Sequence, residues 1–400
     1  MLTVEEAREQ MLAHARQLEP EHVDIRAALG RVLAEPIVSR RVIPPWPNSS
    51  MDGYAVRAAD TTPAPVVLTV TGRVAAGMLS ETPVGAGQAV RIFTGAPLPP
   101  GADAVVPQEE VDADGDRIRI RRAVEPGAHV RPRGEDVQLG DRVLEPGRRL
   151  GAAEIGLLAT LGHSPVLVYR RPRVAVLSNG NELVDLGSEP GPGQIPNTNT
   201  YSLAAQVLEA GGEPLNLGVA PDDLGAIEAR LGWGRAADVL VTSAGVSVGE
   251  LDLLREALSR AGATLHLWQV AMRPGKPITF GTLGEQLVFG LPGNPVSAMV
   301  TFELFVRPVL LKMSGLERLD RPRVTARAVG SIANPGRRRG YLRVSLGRDA
   351  GGYTARLTGD QGSAILRSMV LADGLAVVPG GTVIPDGEPV EVIVLRGLEA

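Results

Sequence analysis

The sequence predicts a multidomain protein: a three-layer parallel α/β domain, a β-rich inserted domain, a helical N-terminal part and a C-terminal β-barrel. The first observation is length, because 400 residues suggest two to four domains at about 100–200 residues per domain. The second is that apolar runs alternate with amphipathic stretches across 171–318, which is typical of parallel strands joined by right-handed helical crossovers. The third is that 65–150 and the chain after 321 carry short apolar runs between Gly and Pro turns, which favours strands.

The N-terminal part is predicted to be helical. Thr3 and Glu6 have the spacing of a capping box, which predicts a helix over residues 3–18. Apolar spacing predicts two more helices, over 24–34 and 151–162. The predicted domains are 1–42 with 141–170 (N-terminal helical and linker domain), 43–140 (inserted β-rich domain), 171–318 (α/β domain) and 319–400 (β-barrel).

The inserted domain begins with a proline-rich stretch, IPPWPNSSMDGYAV (43–56), which predicts a loop because proline is excluded from helix interiors and central strands. In DRIRIRR (116–122) arginine alternates with isoleucine, which predicts a half-exposed strand whose arginines face water.

The α/β region has a regular order of elements. Strands are predicted at 171–180, 213–220, 237–245, 264–271 and 286–293. Helices are predicted at 198–212, 222–232, 251–262 and 294–315. Ligands of such sheets bind beyond the carboxyl ends of the strands, so the loops after these strands are the first place to look for a site.

Composition excludes several classes of protein. The chain has no cysteine, so disulfides, thiolate metal sites, Fe–S clusters and a cysteine nucleophile are excluded, and five scattered histidines argue against a histidine-built metal site. A net charge of −4 provides no basic field for nucleic acid. The N-terminus lacks the pattern of a secretory signal and no apolar run is long enough for a bilayer. We expect a cytoplasmic protein that binds neither membrane nor nucleic acid.

One loop allows two interpretations. Residues 245–249 spell G-x-S-x-G between a strand and a helix, the setting of a hydrolase nucleophile. A triad would need a later histidine, and the one downstream, His266, lies on a predicted strand rather than in a loop. The other interpretation is a phosphate-binding loop with small residues and a helix N-terminus. Its candidate residues are Ser243, Gly245, Ser247 and Gly249.

Carboxylates follow three successive strands of the predicted sheet. Glu182 follows the first, Asp222 and Asp223 follow the second, and Glu250 and Asp252 follow the third. Each could simply cap a helix. Together they suggest a Mg²⁺-supported phosphate site, because Mg²⁺ prefers hard oxygen ligands.

Cations concentrate after the fourth predicted strand. Arg273 and Lys276 flank a Pro-Gly turn in MRPGKP (272–277), which suits a fixed oxyanion clamp, and Lys276 is one of only two lysines in the chain. Ser297, in LPGNPVS, could bind an anion at a helix N-terminus, or the segment could be an ordinary helix entry capped by Asn294. RRRGYLR (337–343) is a further basic cluster whose alternative interpretation is a solvated turn.

Eight segments in order resemble one family across more than 300 residues, the molybdopterin molybdenumtransferases of the MoeA type, which include the gephyrin E domain. The segments are PNSSMDGYAVR (47–57), RIFTGAPLPPGADAVV (91–106), RPRGEDV (131–137), SNGNEL (178–183), TSAGVSVGELD (242–252), AMRPGKP (271–277), LPGNPVSA (291–298) and DQGS (360–363). Members often carry lysine where this chain has Gln269 and Arg273, and threonine where it has Asn179.

The resemblance implies an elongated homodimer whose α/β domain is similar to molybdopterin adenylyltransferases. Its active cleft would form between the α/β domain of one subunit and the β-rich domain of the other. The implied substrates are the small molecules adenylylated molybdopterin and molybdate. Mg²⁺-dependent cleavage would release AMP while molybdenum joins the pterin dithiolene. Contact with other proteins of cofactor biosynthesis is a further expectation.

The resemblance also assigns site residues. The implied catalytic residues are Asp52, Thr94, Glu182, Asp222 and Asp252, with Asp136 near the first two. Glu182, Asp222 and Asp252 would bind the metal. The implied oxyanion-binding residues are Arg273, Lys276, Ser297, Arg338 and Ser363, where Arg338 could also be Arg337 or Arg339.

The first rival function belongs to the same pathway and the second, a scaffold, to a different class of protein. A molybdopterin adenylyltransferase would resemble only the α/β domain, so residues 1–165 and 320–400 argue against it. A non-catalytic molybdopterin-binding scaffold would have no need of the carboxylates Glu182, Asp222 and Asp252. The third rival is the Ser247 hydrolase.

Overall fold

A computed structural model describes residues 1–80, 82–243 and 253–397. The chain forms two compact units. The first comprises Met1–Ala34, Gly147–Ile155 and Pro165–Ala400, and the second comprises Glu35–Pro146 and Gly156–Ser164. The four predicted domain boundaries are finer than this division and stay a prediction.

The second unit is built on a six-stranded sheet. In spatial order its strands are Ala104–Pro107, Gly53–Val56, Gln88–Ile92, Val66–Val74, Arg117–Ile120 and Val111–Asp114. Only the pairing of Val66–Val74 with Gln88–Ile92 is parallel. The predicted arginine–isoleucine alternation is confirmed, because Ile118 and Ile120 are buried while Arg117 and Arg119 face water. Shorter elements are the pairs Ile37–Val38 with Arg142–Leu144 and Asn48–Ser49 with Val130–Arg131, and the 3₁₀ turns Ala58–Thr61 and Gln108–Glu110.

The first unit contains a second six-stranded sheet, which confirms the predicted α/β domain. Its strands, in spatial order, are Glu213–Ala220, Arg173–Asn179, Val239–Ser243, Gln286–Leu291, Pro277–Leu283 and Thr264–Gln269. The first four run parallel. Pro277–Leu283, which the sequence pattern missed, runs antiparallel to both neighbours. It begins directly at the Pro-Gly turn, so its start looks like a loop, and it makes a hairpin through Gly284.

Helices cover both faces of this sheet, giving the predicted three layers. Asn199–Glu209, the long helix from Pro295 and the N-terminal helix Val4–His14 pack on one face. Leu224–Trp233 and Leu253–Arg260 pack on the other. Both interfaces are apolar, as the burial of amphipathic helices on a sheet requires.

The long helix is predicted over 294–315 and is observed with one interruption. It runs as Pro295–Thr301, a π-helical segment Phe302–Val306, and Arg307–Met313. Pro308 explains the interruption, because proline has no N–H to donate to the carbonyl four residues earlier and its ring clashes there.

The N-terminal part is less helical than predicted. The Thr3–Glu6 capping box is confirmed, but the helix ends at His14 rather than residue 18. The predicted helix over 24–34 is wrong, because only the 3₁₀ turn Ile25–Ala27 forms. Here the main chain pairs with distant segments instead: Gly30 N–H donates to the Leu150 carbonyl at 2.8 Å and Leu33 N–H to the Arg148 carbonyl at 2.9 Å. These tertiary bonds override local propensity. Pro20–Val23 pairs with Val166–Tyr169, and Ala152–Leu161 is the predicted helix near 151–162.

The C-terminal β-barrel is also confirmed. Five strands close on themselves in the order Arg339–Asp349, Gly352–Leu357, Arg323–Ala328, Pro389–Val394 and Gly374–Val378, the last pairing again with the first. The short strand Met272–Arg273 adds to this barrel in parallel with Arg339–Gly340. The remaining elements are the pairs Ile332–Asn334 with Thr382–Ile384 and Leu183–Val184 with Ile195–Pro196, and the helix Leu366–Val370.

Within the described ranges, every helix is too short or too polar to cross a bilayer.

Candidate active site

Asp222 is fixed between two loops at the carboxyl edge of the α/β sheet. Its main-chain N–H donates to Asn181 Oδ1 at 3.0 Å, and Asn181 N–H donates back to Asp222 Oδ2 at 3.2 Å. Asn179 Nδ2 approaches Asp222 Oδ1 at 3.4 Å. Asn179 ends the strand Arg173–Asn179 and Asn181 follows it, and this strand is next to the one that precedes Asp222. The structure therefore brings the first two carboxylate-bearing loops together, as the sequence predicts.

Glu182 lies in the first of these loops, over Gly180. Gly180 has φ +146, a conformation that favours glycine, and a Cβ placed on it would stand 2.3 Å from Glu182 Oε2, so the Glu182 carboxylate lies directly over this residue. The side chain is exposed and has no hydrogen-bond partner among the residues the structure describes. Its oxygens are therefore available to a ligand.

The other carboxylates differ in role or lie elsewhere. Asp223 caps a helix, since its Oδ1 accepts the Ala226 N–H at 2.8 Å, which confirms the capping interpretation for this residue. Glu250 and Asp252 lie outside the described residues. In the part of the chain that is described, three or more metal-ligating side chains do not gather at one point.

The loop predicted to bind phosphate is described only at its first residue. Ser243 is buried at the end of its strand, and its Oγ accepts from Asn199 Nδ2 at 2.6 Å. The same Asn199 amide donates to the Gly293 carbonyl at 2.6 Å. Gly245, Ser247 and Gly249 lie outside the described residues. The hydrolase interpretation depends on Ser247, so the structure does not test it.

Sequence reasoning missed the asparagines that connect these loops. Asn199 ties the third strand to the loop before the long helix, and Asn197 Nδ2 donates to Thr200 Oγ1 at 3.0 Å. The available signal was PNTNT (196–200), a run of short polar residues entering a helix beside the strand ends.

The N-terminus of the long helix meets the DQGS segment. Val296 N–H donates to the Ser363 carbonyl at 3.1 Å. The residue after Val296, Ser297, is buried. Asn294 occupies the N-cap position, but its side chain makes no capping bond, so the ordinary helix entry is only partly observed. The structure thus brings together the segments of Ser297 and Ser363.

The MRPGKP turn packs against the same helix and joins the barrel. A Cβ on Gly275, which has φ +97, would stand 2.4 Å from Thr301 Cγ2, so the turn lies directly on the helix. Arg338 Nη1 donates to the Met272 carbonyl at 2.9 Å, beside Arg273. Arg339 instead pairs with Glu5. Of the three consecutive arginines 337–339, the second therefore contacts the turn through its side chain, whereas Arg339 pairs with it through the main chain. Lys276 is half-buried, and its carbonyl accepts the Val270 N–H at 2.9 Å.

The second unit holds the remaining candidates, Asp52, Thr94 and Asp136. Thr94 N–H and Thr94 Oγ1 both donate to Asp52 Oδ1 at 2.8 Å. The Thr94 main-chain bond, followed by its hydroxyl bond, lowers the pKa of Asp52 below the usual range. Asp136 is exposed, and its N–H donates to the Ile43 carbonyl at 3.0 Å.

A stack of arginine and aromatic side chains was also missed. The Arg91 guanidinium lies 4.9 Å from the Tyr54 ring centroid and 5.1 Å from that of Phe93, while Arg73 lies 4.7 Å from the Phe93 centroid. Both arginines are close enough for cation–π attraction. The sequence feature that could have indicated this stack is the RIF run (91–93) directly before Thr94.

These features define the class of protein: a multidomain α/β protein with carboxylates at one part of its sheet edge and a basic turn, braced by a closed barrel, at another. Family models agree. The MoeA N-terminal region (domains I and II) matches residues 2–162, a probable molybdopterin binding domain matches 175–312, and the MoeA C-terminal region (domain IV) matches 325–395.

Individual relatives match over nearly the whole chain. A molybdopterin molybdenumtransferase of Nostoc sp. is 40% identical over 390 residues, covering 95% of this chain and 89% of the relative. Molybdopterin molybdenumtransferase 1 of Mycobacterium tuberculosis is 38% identical over 426 residues, 99% of each chain. The crystal structure of the molybdopterin biosynthesis MoeA protein of Pyrococcus horikoshii OT3 has a TM-score of 0.84 at 33% identity, covering 98% of this chain and 100% of that one. The chain belongs to the MoeA family of molybdopterin molybdenumtransferases and is a transferase enzyme.

Proposed function

We propose that this enzyme inserts molybdenum from molybdate into adenylylated molybdopterin and releases AMP, a step of molybdenum cofactor biosynthesis. The observation that carries the proposal is the meeting of Val296 and Ser363 beside a basic turn held by Arg338. Because the chain has no cysteine, the sulfur atoms that hold molybdenum belong to the pterin. The protein itself supplies no thiolate ligand.

The basic turn suits a dianion such as molybdate. Arg273 and Lys276 supply charge on the turn, Arg338 supplies charge from the barrel, and the segments of Ser297 and Ser363 supply hydroxyls and main-chain groups. Donors fixed before the reaction need no reorganisation when charge develops, so removal of one cation should cost about 2–4 kcal/mol in the transition state.

Mg²⁺ is the proposed metal, with Glu182, Asp222 and Asp252 as its ligands. The donor chemistry fits, because Glu182 has free carboxylate oxygens and Asp222 is oriented by the amides of Asn179 and Asn181. When bound, Mg²⁺ would neutralise charge on the phosphates that link molybdopterin to AMP. The chain itself orients Asp222 and keeps Glu182 accessible.

We further propose a cytoplasmic homodimer in which Asp52 and Thr94 serve the active site of the partner subunit. This rests on the resemblance of residues 47–57 and 91–106 to the family. Complementation tests it: an equimolar, re-associated mixture of Asp52→Asn and Lys276→Met subunits should regain about a quarter of wild-type activity, since about half of its dimers are mixed and each mixed dimer has one intact site of two. Mixtures that stay as inactive as the separate variants would contradict it.

The test of function is AMP release from adenylylated molybdopterin with Mg²⁺, with and without molybdate. Release that depends on molybdate supports the proposal, and its absence from folded protein contradicts it and favours a scaffold. Formation of adenylylated molybdopterin from ATP would favour the adenylyltransferase. Molybdate-independent ester hydrolysis that is abolished in folded Ser247→Ala would favour the hydrolase.

The two lysines form a matched pair for this assay. Lys276→Met should raise the KM for molybdate or lower kcat. Lys312→Met should leave both unchanged and lower only thermal stability, because Lys312 Nζ donates to the Leu12 carbonyl at 2.8 Å, at the end of the N-terminal helix.

A further inference from the structure

Arg343 is a fully buried arginine on the barrel strand Arg339–Asp349, with none of its surface exposed. Burial lowers its pKa to about 10, and the nearby charge of Arg273 acts in the same direction. The side chain therefore still carries its charge at neutral pH. Burying a charge in this way costs several kcal/mol unless hydrogen bonds compensate, so its partners indicate what it does.

The guanidinium binds one segment of chain, on either side of Ser363. Nη2 donates to the Gly362 carbonyl at 3.0 Å and lies 3.4 Å from the Asp360 carbonyl. Nε donates to Ser368 Oγ at 2.9 Å. Ser368 Oγ in turn donates to the Ile365 carbonyl at 2.6 Å. One planar group thus fixes the chain both before and after Ser363.

The main chain of Arg343 holds the same segment. Its N–H donates to Gln361 Oε1 at 2.8 Å, and Gln361 Nε2 donates to the Arg343 carbonyl at 3.2 Å. The Gln361 side-chain amide therefore makes the same pair of hydrogen bonds to Arg343 that the main chain of a neighbouring strand would make. From the other side, Val296 N–H bonds the Ser363 carbonyl at 3.1 Å. Ser363 is held between the barrel and the long helix.

Within the part of the chain that the structure describes, the arrangement leaves one donor of the guanidinium unpaired. Arg343 Nη1 is buried and has no hydrogen-bond partner among residues 1–80, 82–243 and 253–397. An unpaired buried donor typically costs about 1–3 kcal/mol. The other two nitrogens of the side chain keep their bonds to the segment around Ser363 despite this cost.

We propose that Arg343 is a positioning residue for oxyanion binding: it fixes the Asp360–Gly362 segment so that Ser363 meets molybdate beside Arg273 and the long helix. Arg343 itself does not touch the substrate. This inference rests on the proposed function and adds Arg343 to the residues that serve molybdate binding.

The test compares Arg343→Lys and Arg343→Met with Val390→Ala, a buried barrel variant on a strand that makes no bond to the DQGS segment in the described structure. Lysine keeps the charge, but an ammonium cannot reproduce the planar fork. We expect both Arg343 variants to raise the KM for molybdate by about ten-fold or more, since misplacement of a binding group by about 1 Å has effects of this size. The KM for adenylylated molybdopterin should change by less than about two-fold. Hydrogen exchange of residues 360–366 should accelerate in both variants.

Val390→Ala should lower thermal stability and leave the molybdate KM unchanged. An Arg343→Met enzyme that folds and keeps its molybdate KM overturns the inference, and so does a Val390→Ala enzyme with an equal rise in KM. If both Arg343 variants fail to fold, Ser368→Ala replaces them, because it removes the Nε partner together with the Ser368 hydroxyl bond to the Ile365 carbonyl and leaves the guanidinium in place. An unchanged molybdate KM in Ser368→Ala then overturns the inference. Wild-type enzyme without molybdate-dependent AMP release contradicts the proposed function, whereas active wild type with unaffected Arg343 variants contradicts this inference alone.

Discussion

Thr94 binds Asp52 through two donors at one oxygen: its main-chain N–H and its hydroxyl both reach Asp52 Oδ1 at 2.8 Å. The pair joins two segments that are 42 residues apart, the proline-rich stretch and the RIFTG turn. Because both donors favour the ionised carboxylate, they lower the pKa of Asp52, the main-chain donor being the larger cause.

Thr94→Val should therefore raise the pKa of Asp52 only part of the way to its usual value. Valine keeps the shape and the N–H but loses the hydroxyl donor. A carboxyl group with a lowered folded-state pKa stabilises the fold above its unfolded pKa of about 3.9, and this stabilisation disappears as the pH falls through the folded-state pKa. The variant's loss of stability should thus be largest at neutral pH and vanish in acid. NMR titration of the Asp52 carboxyl carbon checks the pKa, and an unchanged pKa in Thr94→Val would contradict the assignment.

Gly275→Ala should loosen the basic turn from the long helix. The new Cβ would stand 2.4 Å from Thr301 Cγ2, at a residue with φ +97. We expect a loss of about 1–3 kcal/mol in unfolding free energy from strain and overpacking, together with a higher KM for molybdate.

Gly284→Ala is the matched control for that prediction. Gly284 also has positive φ, +64, but its Cβ would meet nothing within 4 Å. It should show the backbone cost alone, about 1–2 kcal/mol, and an unchanged molybdate KM. Equal KM effects in the two alanine variants would show that contact with Thr301 does not position the turn.

Asn199→Asp should destabilise the α/β domain, and more so at neutral than at acid pH. Asn199 Nδ2 donates to Ser243 Oγ and to the Gly293 carbonyl, and an ionised carboxylate facing these oxygens can donate to neither. The folded-state pKa of the new carboxyl should be raised, so stability should fall as the pH rises from the unfolded pKa through the folded one.

Asn216→Asp provides the comparison. Asn216 is exposed, and its Oδ1 accepts the Gly218 N–H at 2.7 Å, a role that aspartate can also fill. Urea unfolding at several pH values should separate the two variants. A pH-independent loss in Asn199→Asp would contradict the assigned donor role.

Glu303→Gln should cost about 3–5 kcal/mol, because it leaves two partly buried arginines without their buried counter-charge. Glu303 is buried on the π-helical segment, where its Oε1 lies 2.7 Å from Arg321 Nε and 3.4 Å from Arg307 Nε. Burial already lowers the pKa of Arg307. In contrast, Glu256→Gln removes the surface partner of Arg260 and should change stability by less than about 0.5 kcal/mol. Thermal unfolding checks both, and equal losses would contradict the proposed importance of burial.

Local patterns were sufficient for much of the fold. Alternation placed the faces of Arg117–Ile120, and the capping box located the start of Val4–His14. They failed at 24–34, where main-chain bonds to Arg148 and Leu150 replace the predicted helix. They also missed Pro277–Leu283, whose antiparallel place between two strands depends on a hairpin rather than on a βα repeat.

The site shows the same division. The meeting of the Asp222 loop with Asn179 follows from strand order alone, so the sequence could predict it. Asn199 bonds both Ser243 and Gly293, which is possible only if the end of Val239–Ser243 lies beside the loop at Gly293. Sheet register sets this relation, and the sequence does not reveal it. Likewise, the sequence shows Arg343 only as one arginine of a basic cluster, because its burial depends on how the barrel strands pair.

Gly340 has a strand on each side: it pairs with Arg273 of the basic turn and with Val378 of the barrel. The turn therefore takes its geometry from a domain that is distant in the chain. A chimera that kept the α/β domain and received the barrel of a relative would acquire that relative's turn geometry, even with every residue from 171 to 318 unchanged. Transplanting oxyanion specificity between members of the family should accordingly require exchange of the barrel and the turn as one module.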